Sequence, residues 1–237
     1  MSAAQRLAAL RERIDAAAKR AGRSPESVTL LGVAKRIASE SVAEAVKAGL
    51  GDVAENYVQE ATGRREELIQ MLESARNPPP RWHFIGQLQR NKARVVAAHF
   101  DLVHTVDREP LGAALDRHAG AADRRLDVLV QVNISGEAQK GGVAPEDTAA
   151  LLTASRAWSH LRVAGLMTIP APGDPEAVRP AFAALRQLRD ELRGEHPDLR
   201  ELSMGMSADF EVAIEEGATI IRVGTALFGP RSPAPGT

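Results

Sequence analysis

Short apolar segments that alternate with longer helical patterns constrain the fold of this chain more than any other feature. A short apolar run bounded by turn residues is typical of a buried strand, and apolar residues spaced three or four apart are typical of an amphipathic helix. Their alternation predicts parallel β-α-β units. The eight apolar runs cover residues 29–34, 52–54, 82–85, 102–104, 128–132, 163–167, 201–203 and 219–223.

Eight such units in 237 residues favour a closed (β/α)8 barrel, the TIM barrel of the α/β class. Because the second run is weak, an open doubly wound sheet remains the alternative. Helical patterns occupy residues 2–21, 39–48, 57–75 and 176–193, and the first of them is an extra N-terminal helix. We find no linker and therefore expect one domain over residues 1–237, with a flexible Pro/Gly-rich tail at residues 230–237.

Composition excludes several classes of protein. The formal net charge of −1 argues against a nucleic-acid-binding surface. The absence of cysteine excludes disulfides, thiolate nucleophiles and iron–sulfur clusters, and the six histidines lack the spacing of a zinc site. No apolar run is long enough to span a membrane, and charges interrupt the N-terminal segment where a signal peptide would be apolar. We therefore expect a cytoplasmic protein that binds neither nucleic acid nor a membrane nor a metal.

Lys35 follows the first apolar run, at the end of the strand where barrel enzymes carry their sites. Only five of the 30 basic residues are lysines, so arginine supplies most of the positive charge. A partly desolvated lysine amine can form a Schiff base with a carbonyl cofactor, which an arginine cannot do. The alternative is a surface lysine at a strand end, the commoner fate of this residue type.

Small and hydroxyl-bearing residues follow the last two predicted strands. Ser207 lies after the seventh strand, and Gly224 and Thr225 follow the eighth. In barrels these loops often bind phosphate, because free backbone N–H groups and the helix dipole favour an anion there. Ser207 could instead cap its helix, with Asp209 in the first turn, and the two roles are compatible. We also expect Met204, at the end of the seventh strand, in the binding pocket.

Arg222 interrupts an otherwise apolar final strand, and a buried arginine needs an acceptor. One alternative is a salt bridge to a barrel carboxylate such as Glu55. The other is donation to the pyridine nitrogen of a cofactor. A cationic arginine there disfavours protonation of the ring nitrogen and makes the ring a weaker electron sink.

Six motifs, in order across nearly the whole chain, resemble those of the pyridoxal phosphate homeostasis proteins. These proteins are similar to the barrel domain of fold-type III enzymes such as bacterial alanine racemase. The motifs are LGVAK at 31–35, GDVAENYVQE at 51–60, WHFIGQLQRNK at 82–92, QVNISGE at 131–137, LSMGMS at 202–207 and RVGTALFG at 222–229. Ala34 and Arg36 depart from the pattern, since the family usually has hydroxyl residues on both sides of the lysine.

The resemblance implies pyridoxal 5′-phosphate as the cofactor and assigns residues to it. Lys35 would form the Schiff base, and Arg222 would contact the pyridine nitrogen. Asn56 and His83 would line the pocket. The residues implied around the phosphate are Ser207, Gly224 and Thr225.

The resemblance also implies a function: a carrier and regulator that keeps free pyridoxal phosphate low and supplies it to apo-enzymes. A racemase would need a second base opposite Lys35, and the only candidates are Tyr57 and His83. A weak amino-acid racemase therefore remains an alternative, as does a phosphosugar-type barrel enzyme that uses the same loops without an imine. Since the chain ends just after the eighth strand, without the second domain through which racemases pair, we expect a monomer.

Overall fold

The strands close into one parallel barrel. A computed structural model describes residues 1–73, 77–137, 140–171 and 173–230. In this part of the chain the strands are paired in the order β1 to β8, and β8 pairs with β1. This closure confirms the predicted (β/α)8 barrel and excludes the open sheet. The strands are β1 (Thr29–Val33), β2 (Asp52–Glu55), β3 (Arg81–Phe84), β4 (Leu102–Val106), β5 (Leu126–Gln131), β6 (Leu161–Met167), β7 (Glu201–Ser203) and β8 (Ile220–Val223).

Helices alternate with the strands and pack on the outside of the barrel. The predicted N-terminal helix is α1, which begins at a capping box between Ser2 and Gln5. The other three predicted helical segments correspond to α2, α3 and α7. The helices are α1 (Ala3–Arg20), α2 (Ser39–Lys47), α3 (Val58–Glu73), α4 (Ala93–His99), α5 (Glu109–Ala121), α6 (Thr148–Ser155), α7 (Pro175–Leu192), α8 (Phe210–Glu215) and α9 (Thr225–Phe228).

Some of the predicted segments extend beyond the described residues. These are the end of the third helical pattern at residues 74–75 and residues 231–237 of the predicted tail. Over the described ranges, no helix is both long enough and apolar enough to cross a membrane.

Two apolar layers are separated by the strands. The larger layer lies between the strands and the helices, and it includes Leu7, Phe84, Phe182 and Leu202. The smaller layer fills the barrel interior and is formed by Leu31, Ala54, Leu102, Leu129, Ala164, Met167 and Ile220. Buried polar side chains are present as well, and they include those of His83, His104, Ser203 and Arg222. Because a buried polar group must be hydrogen-bonded, these four residues need partners inside the barrel.

The close approach of β6 and β7 generates a stability prediction. A Cβ atom added at Gly165 would lie 2.0 Å from the backbone carbonyl oxygen of Glu201. Since a backbone atom cannot yield without separating the paired strands, we expect Gly165→Ala to lower the free energy of unfolding by about 2–3 kcal/mol. Urea denaturation measures this change.

The matched control is Gly63→Ala in α3, where no atom lies within 4 Å of the added methyl group. Alanine is the better helix former, so this change should raise the free energy of unfolding by about 0.5–1 kcal/mol. Effects of the same sign and size at the two glycines would contradict the close approach of β6 and β7.

Candidate functional site

A cavity of about 410 Å3 opens where the strands end at the carboxyl side of the barrel. Its volume is within the range of small-molecule sites, roughly 300–1,000 Å3. Val33, Ile85, Ile169 and Met206 form apolar walls that the sequence did not single out, because apolar residues at strand ends are common. The cavity brings together six residues predicted for the site: Lys35, Asn56, Ser207, Arg222, Gly224 and Thr225.

Lys35 enters this cavity because the chain turns sharply after β1. The N–H of Ala34 donates to the carbonyl oxygen of Ala54, and the N–H of Ile37 donates to that of Ala34, both at 2.9 Å. Between them Arg36 has φ 57°, and its side chain is exposed. The Lys35 Nζ lies 4.9 Å from the ring centroid of Tyr57. None of the described residues that line the cavity is acidic, so the amine has no carboxylate beside it there.

Arg64 of α3 fixes the loop that follows Lys35. Its Nη1 donates to the carbonyl oxygen of Ile37 and its Nε donates to Glu55 Oε1, each at 2.5 Å. Both charged side chains are buried. Burial raises the pKa of Glu55 to about 7, and the neighbouring Arg64 opposes that rise. Glu55 is therefore the partner of Arg64, and it is not the salt-bridge partner considered for Arg222.

Arg222 is held by neutral acceptors. Its Nη1 donates to Ser203 Oγ at 2.7 Å, and its Nη2 donates to the carbonyl oxygen of Thr168 at 2.9 Å. Burial lowers the pKa of Arg222 to about 10, and the more distant charge of Asp209 opposes that effect. The guanidinium is therefore still a cation at neutral pH. Because it lines the cavity, it can offer a charge-assisted hydrogen bond to a ligand acceptor.

The loops after β7 and β8 meet at Ser207. The N–H of Ala226 donates to Ser207 Oγ at 3.3 Å. Asp209, rather than Ser207, occupies the N-cap position of α8, and its Oδ1 accepts from the N–H of Met206 at 2.5 Å. The interpretation of Ser207 as a helix cap is therefore wrong, because its hydroxyl joins two loops instead.

Free donors surround this contact. Within the described ranges, no hydrogen bond engages the backbone N–H groups of Ser207, Ala208 or Thr225. All three residues line the cavity, and Thr225 adds a hydroxyl group. Several backbone N–H groups that converge with hydroxyl groups form a site suited to an anion.

Asn56 contributes an unused acceptor. Its Oδ1 is buried and has no hydrogen-bond partner among the described residues. A buried polar atom without a partner costs about 1–3 kcal/mol, which a ligand donor would remove. Gly86 approaches the Asn56 backbone so closely that an added Cβ would lie 2.0 Å from its carbonyl oxygen. The position of Asn56 is therefore fixed by backbone packing.

His83 lies deeper in the barrel than we expected, and it does not line the cavity. Its Nε2 is 2.9 Å from Asp52 Oδ1, and its Nδ1 is 2.9 Å from His104 Nε2. Side chains two residues apart on a strand point the same way, so His83 and Ile85 both face the barrel interior. Ile85, nearer the end of the strand, reaches the cavity, while His83 occupies the layer beneath it.

Met204 also departs from the prediction, because its side chain is buried in the layer between strands and helices. The next residue, Gly205, has φ 90°, a conformation that other residues seldom adopt. This turn directs Met206 instead of Met204 into the cavity. Both expectations are thus corrected: His83 lies too deep along its strand to reach the cavity, and the turn at Gly205 directs Met204 away from it.

The buried pair beside Lys35 generates a second prediction. Arg64→Leu should lower the free energy of unfolding by about 2–4 kcal/mol, because Glu55 Oε1 and the Ile37 carbonyl oxygen both lose their donor and the buried Glu55 must take up a proton. Glu55→Gln in the Arg64→Leu background should recover part of the loss, because the amide is neutral without taking up a proton. Urea denaturation of the three variants measures both effects.

An exposed pair supplies the control. Arg156 and Glu195 lie 3.5 Å apart with 56% and 81% of their side chains exposed. Arg156→Leu should change the free energy of unfolding by less than about 1 kcal/mol. An Arg64→Leu loss as small as that of Arg156→Leu would show that the buried pair does not hold the loop.

Comparison with known proteins gives consistent relatives. Residues 5–232 match the family described as alanine racemase, N-terminal domain. The pyridoxal phosphate homeostasis protein of Pseudomonas aeruginosa is 47% identical over 229 residues, which are 96% of this chain and 95% of the relative. PipY of Synechococcus elongatus PCC7942, solved with PLP bound, is 37% identical with a TM-score of 0.82, covering 96% of this chain and 100% of PipY.

A more distant structure shows the fold alone. The alanine racemase of Corynebacterium glutamicum is 15% identical with a TM-score of 0.66, and the match covers 98% of this chain and 63% of that enzyme. The chain therefore shares the alanine racemase barrel, and it belongs to the pyridoxal phosphate homeostasis protein family.

Proposed function

We propose that this protein binds pyridoxal 5′-phosphate as a Schiff base on Lys35, and that it carries and regulates the cofactor instead of catalysing a reaction with it. One observation carries the proposal: a single cavity holds a lysine amine, a buried arginine and a set of free N–H donors. Relatives support it, because PipY has been solved with PLP bound and the P. aeruginosa relative is named for pyridoxal phosphate homeostasis.

The groups in the cavity match the cofactor part by part. The Lys35 amine suits the aldehyde, and Arg222 suits an unprotonated pyridine nitrogen, which accepts a hydrogen bond. Gly224 allows the backbone to approach the phosphate, and the donors for this group are the N–H groups of Ser207, Ala208 and Thr225. Asn56 Oδ1 gains a donor, and the apolar walls cover the ring. When bound, the cofactor supplies a carbonyl carbon and an electron-withdrawing ring.

The ionisable groups favour holding the cofactor over turning over a substrate. Among the described residues that line the cavity, only Lys35 and Arg222 ionise. A racemase needs a second acid–base group opposite the lysine. His83 is buried beneath the cavity, and Arg222 leaves the pyridine nitrogen unprotonated, which weakens the ring as an electron sink.

The proposed partners are the cofactor and the apo-enzymes that accept it from this protein. We propose that the active species is a monomer and that one domain spans the chain. The cavity is open to solvent along the side of Ile169, a residue that is 37% exposed. That opening suits uptake and release of a small molecule.

A weak amino-acid racemase activity is the second candidate. Tyr57 favours it, since its ring lies 4.9 Å from Lys35 Nζ. Tyr57 is 44% exposed, however, whereas proton transfer is most efficient in a site that excludes water.

The first measurement is the absorbance spectrum of the purified protein before and after borohydride. Wild-type protein should show a visible imine band, and borohydride should fix the cofactor covalently on Lys35, as identified by peptide mass. Lys35→Ala should lack the band, while Lys92→Ala, a lysine outside this cavity, should keep it. No band after addition of pyridoxal phosphate would contradict the proposal and favour a phosphate-binding barrel without an imine.

Turnover separates the carrier from the racemase. Incubation with L-alanine or D-alanine should produce no enantiomer above the rate of free pyridoxal phosphate, and Tyr57→Phe should bind the cofactor like the wild type. Racemisation that depends on Tyr57 would instead support the second candidate. The measurement is chiral chromatography of the amino acid.

A further inference from the structure

A continuous chain of hydrogen bonds crosses the barrel interior from Arg222 to Asp52. Arg222 Nη1 lies 2.7 Å from Ser203 Oγ, which lies 2.9 Å from His104 Nδ1. His104 Nε2 lies 2.9 Å from His83 Nδ1, and His83 Nε2 lies 2.9 Å from Asp52 Oδ1. Ser203 and the two histidines are at most 1% exposed. This chain of hydrogen bonds joins the cavity, at the carboxyl ends of the strands, to the N-terminal end of β2 on the opposite side of the barrel.

The two ends of this chain fix its direction. An arginine side chain can only donate hydrogen bonds, and an ionised carboxylate can only accept them. Arg81 Nη1 also lies near this end of the chain of hydrogen bonds, 3.7 Å from Asp52 Oδ1. Each neutral imidazole between the ends has one donor nitrogen and one acceptor nitrogen.

Burial, together with the neighbouring His83 and Arg222, lowers the pKa of His104 well below its usual value. His104 is therefore neutral.

For an ionised Asp52 and two neutral imidazoles, one assignment of protons satisfies every link. His83 donates from Nε2 to Asp52, which leaves His83 Nδ1 as an acceptor. His104 donates from Nε2 to this atom, which leaves His104 Nδ1 to accept the hydroxyl proton of Ser203. Ser203 Oγ then presents its lone pairs to Arg222. All these hydrogen bonds point from Arg222 towards Asp52. They therefore polarise one another, which strengthens the bond from Arg222 to Ser203.

We propose that Asp52 is a positioning residue for the cavity: through the tautomers of His83 and His104 it holds Ser203 Oγ as the acceptor that orients Arg222. Asp52 would otherwise be assigned to stability, because it lies at the end of the barrel away from the site. Only the last step, in which the oriented Arg222 contacts the pyridine nitrogen, rests on the proposed function.

The tautomers can be measured in the full-length protein without cofactor. Nitrogen-15 NMR of the wild type should show both imidazoles protonated at Nε2 and bare at Nδ1, with a coupling across the hydrogen bond from His104 Nε2 to His83 Nδ1. Asp52→Asn keeps the size of the side chain but introduces an amide donor. Both histidines should then shift toward the Nδ1–H tautomer, because each hydrogen bond between position 52 and Ser203 can reverse its direction.

Asp101→Asn is the matched control. Asp101 is a carboxylate that takes no part in this chain of hydrogen bonds. It accepts from the N–H of Trp82 at 2.8 Å and from Arg124 Nη2 at 3.1 Å. This variant should leave both tautomers unchanged. A wild type in which either imidazole carries a proton on Nδ1, or an Asp52→Asn protein with unaltered tautomers, would overturn the proposal.

The cofactor-loaded protein tests the last step. Asp52→Asn should release pyridoxal phosphate on the order of ten-fold faster than the wild type and Asp101→Asn, because Arg222 loses its fixed orientation. Ser203→Ala breaks the chain next to Arg222 and should release the cofactor equally fast. Altered tautomers with wild-type release would overturn the role of Asp52 in orienting Arg222. A wild type that takes up no cofactor would contradict the proposed function, while the tautomers, measured without cofactor, still decide the direction of the chain.

Discussion

The pairing of β8 with β1 is the constraint on which the site depends. It sets Arg222 beside Leu31 and Val223 beside Gly32, so the end of the last strand lies next to the end of the first. Lys35, which follows β1, thereby shares one cavity with Thr225, which follows β8. In an open sheet these strands could be edge strands far apart, and the amine and the anion donors would not meet.

Closure also creates a polar interior that needs internal partners. Strand residues that point inward cannot reach water, so each polar side chain there must find another. The solution is a set of links in which histidine and serine connect Arg222 to Asp52. Glu55, on the helix-facing side of β2, is paired separately with Arg64 through its Oε1. The first set of links fixes the cation of the cavity, and the Glu55–Arg64 pair fixes the loop after its lysine.

The chemical balance of the cavity follows from these partners. Arg222 has neutral acceptors on its inner side and remains a cation, so its outward face favours an acceptor over a protonated ring nitrogen. Among the residues that the structure describes, the loops after β7 and β8 have backbone N–H groups without partners, and Asn56, after β2, has an unsatisfied amide oxygen. A ligand with a phosphate, a ring acceptor and a donor would satisfy all of them at once.

The sequence by itself determined the barrel, because alternation of strand and helix patterns is a local property, and eight units close readily. It also identified Lys35, Ser207, Arg222 and Thr225, since the end of each strand and its loop can be read from the chain. Only the tertiary structure decided how deep each side chain lies in the barrel and which way it points. His83 lies one layer below the cavity, Met204 turns away at Gly205, and the partner of Arg222 is Ser203 instead of Glu55. Strand periodicity gives the face on which a side chain lies, but neither its height along the barrel axis nor its partner across the barrel, because both depend on the stagger between strands that are distant in sequence.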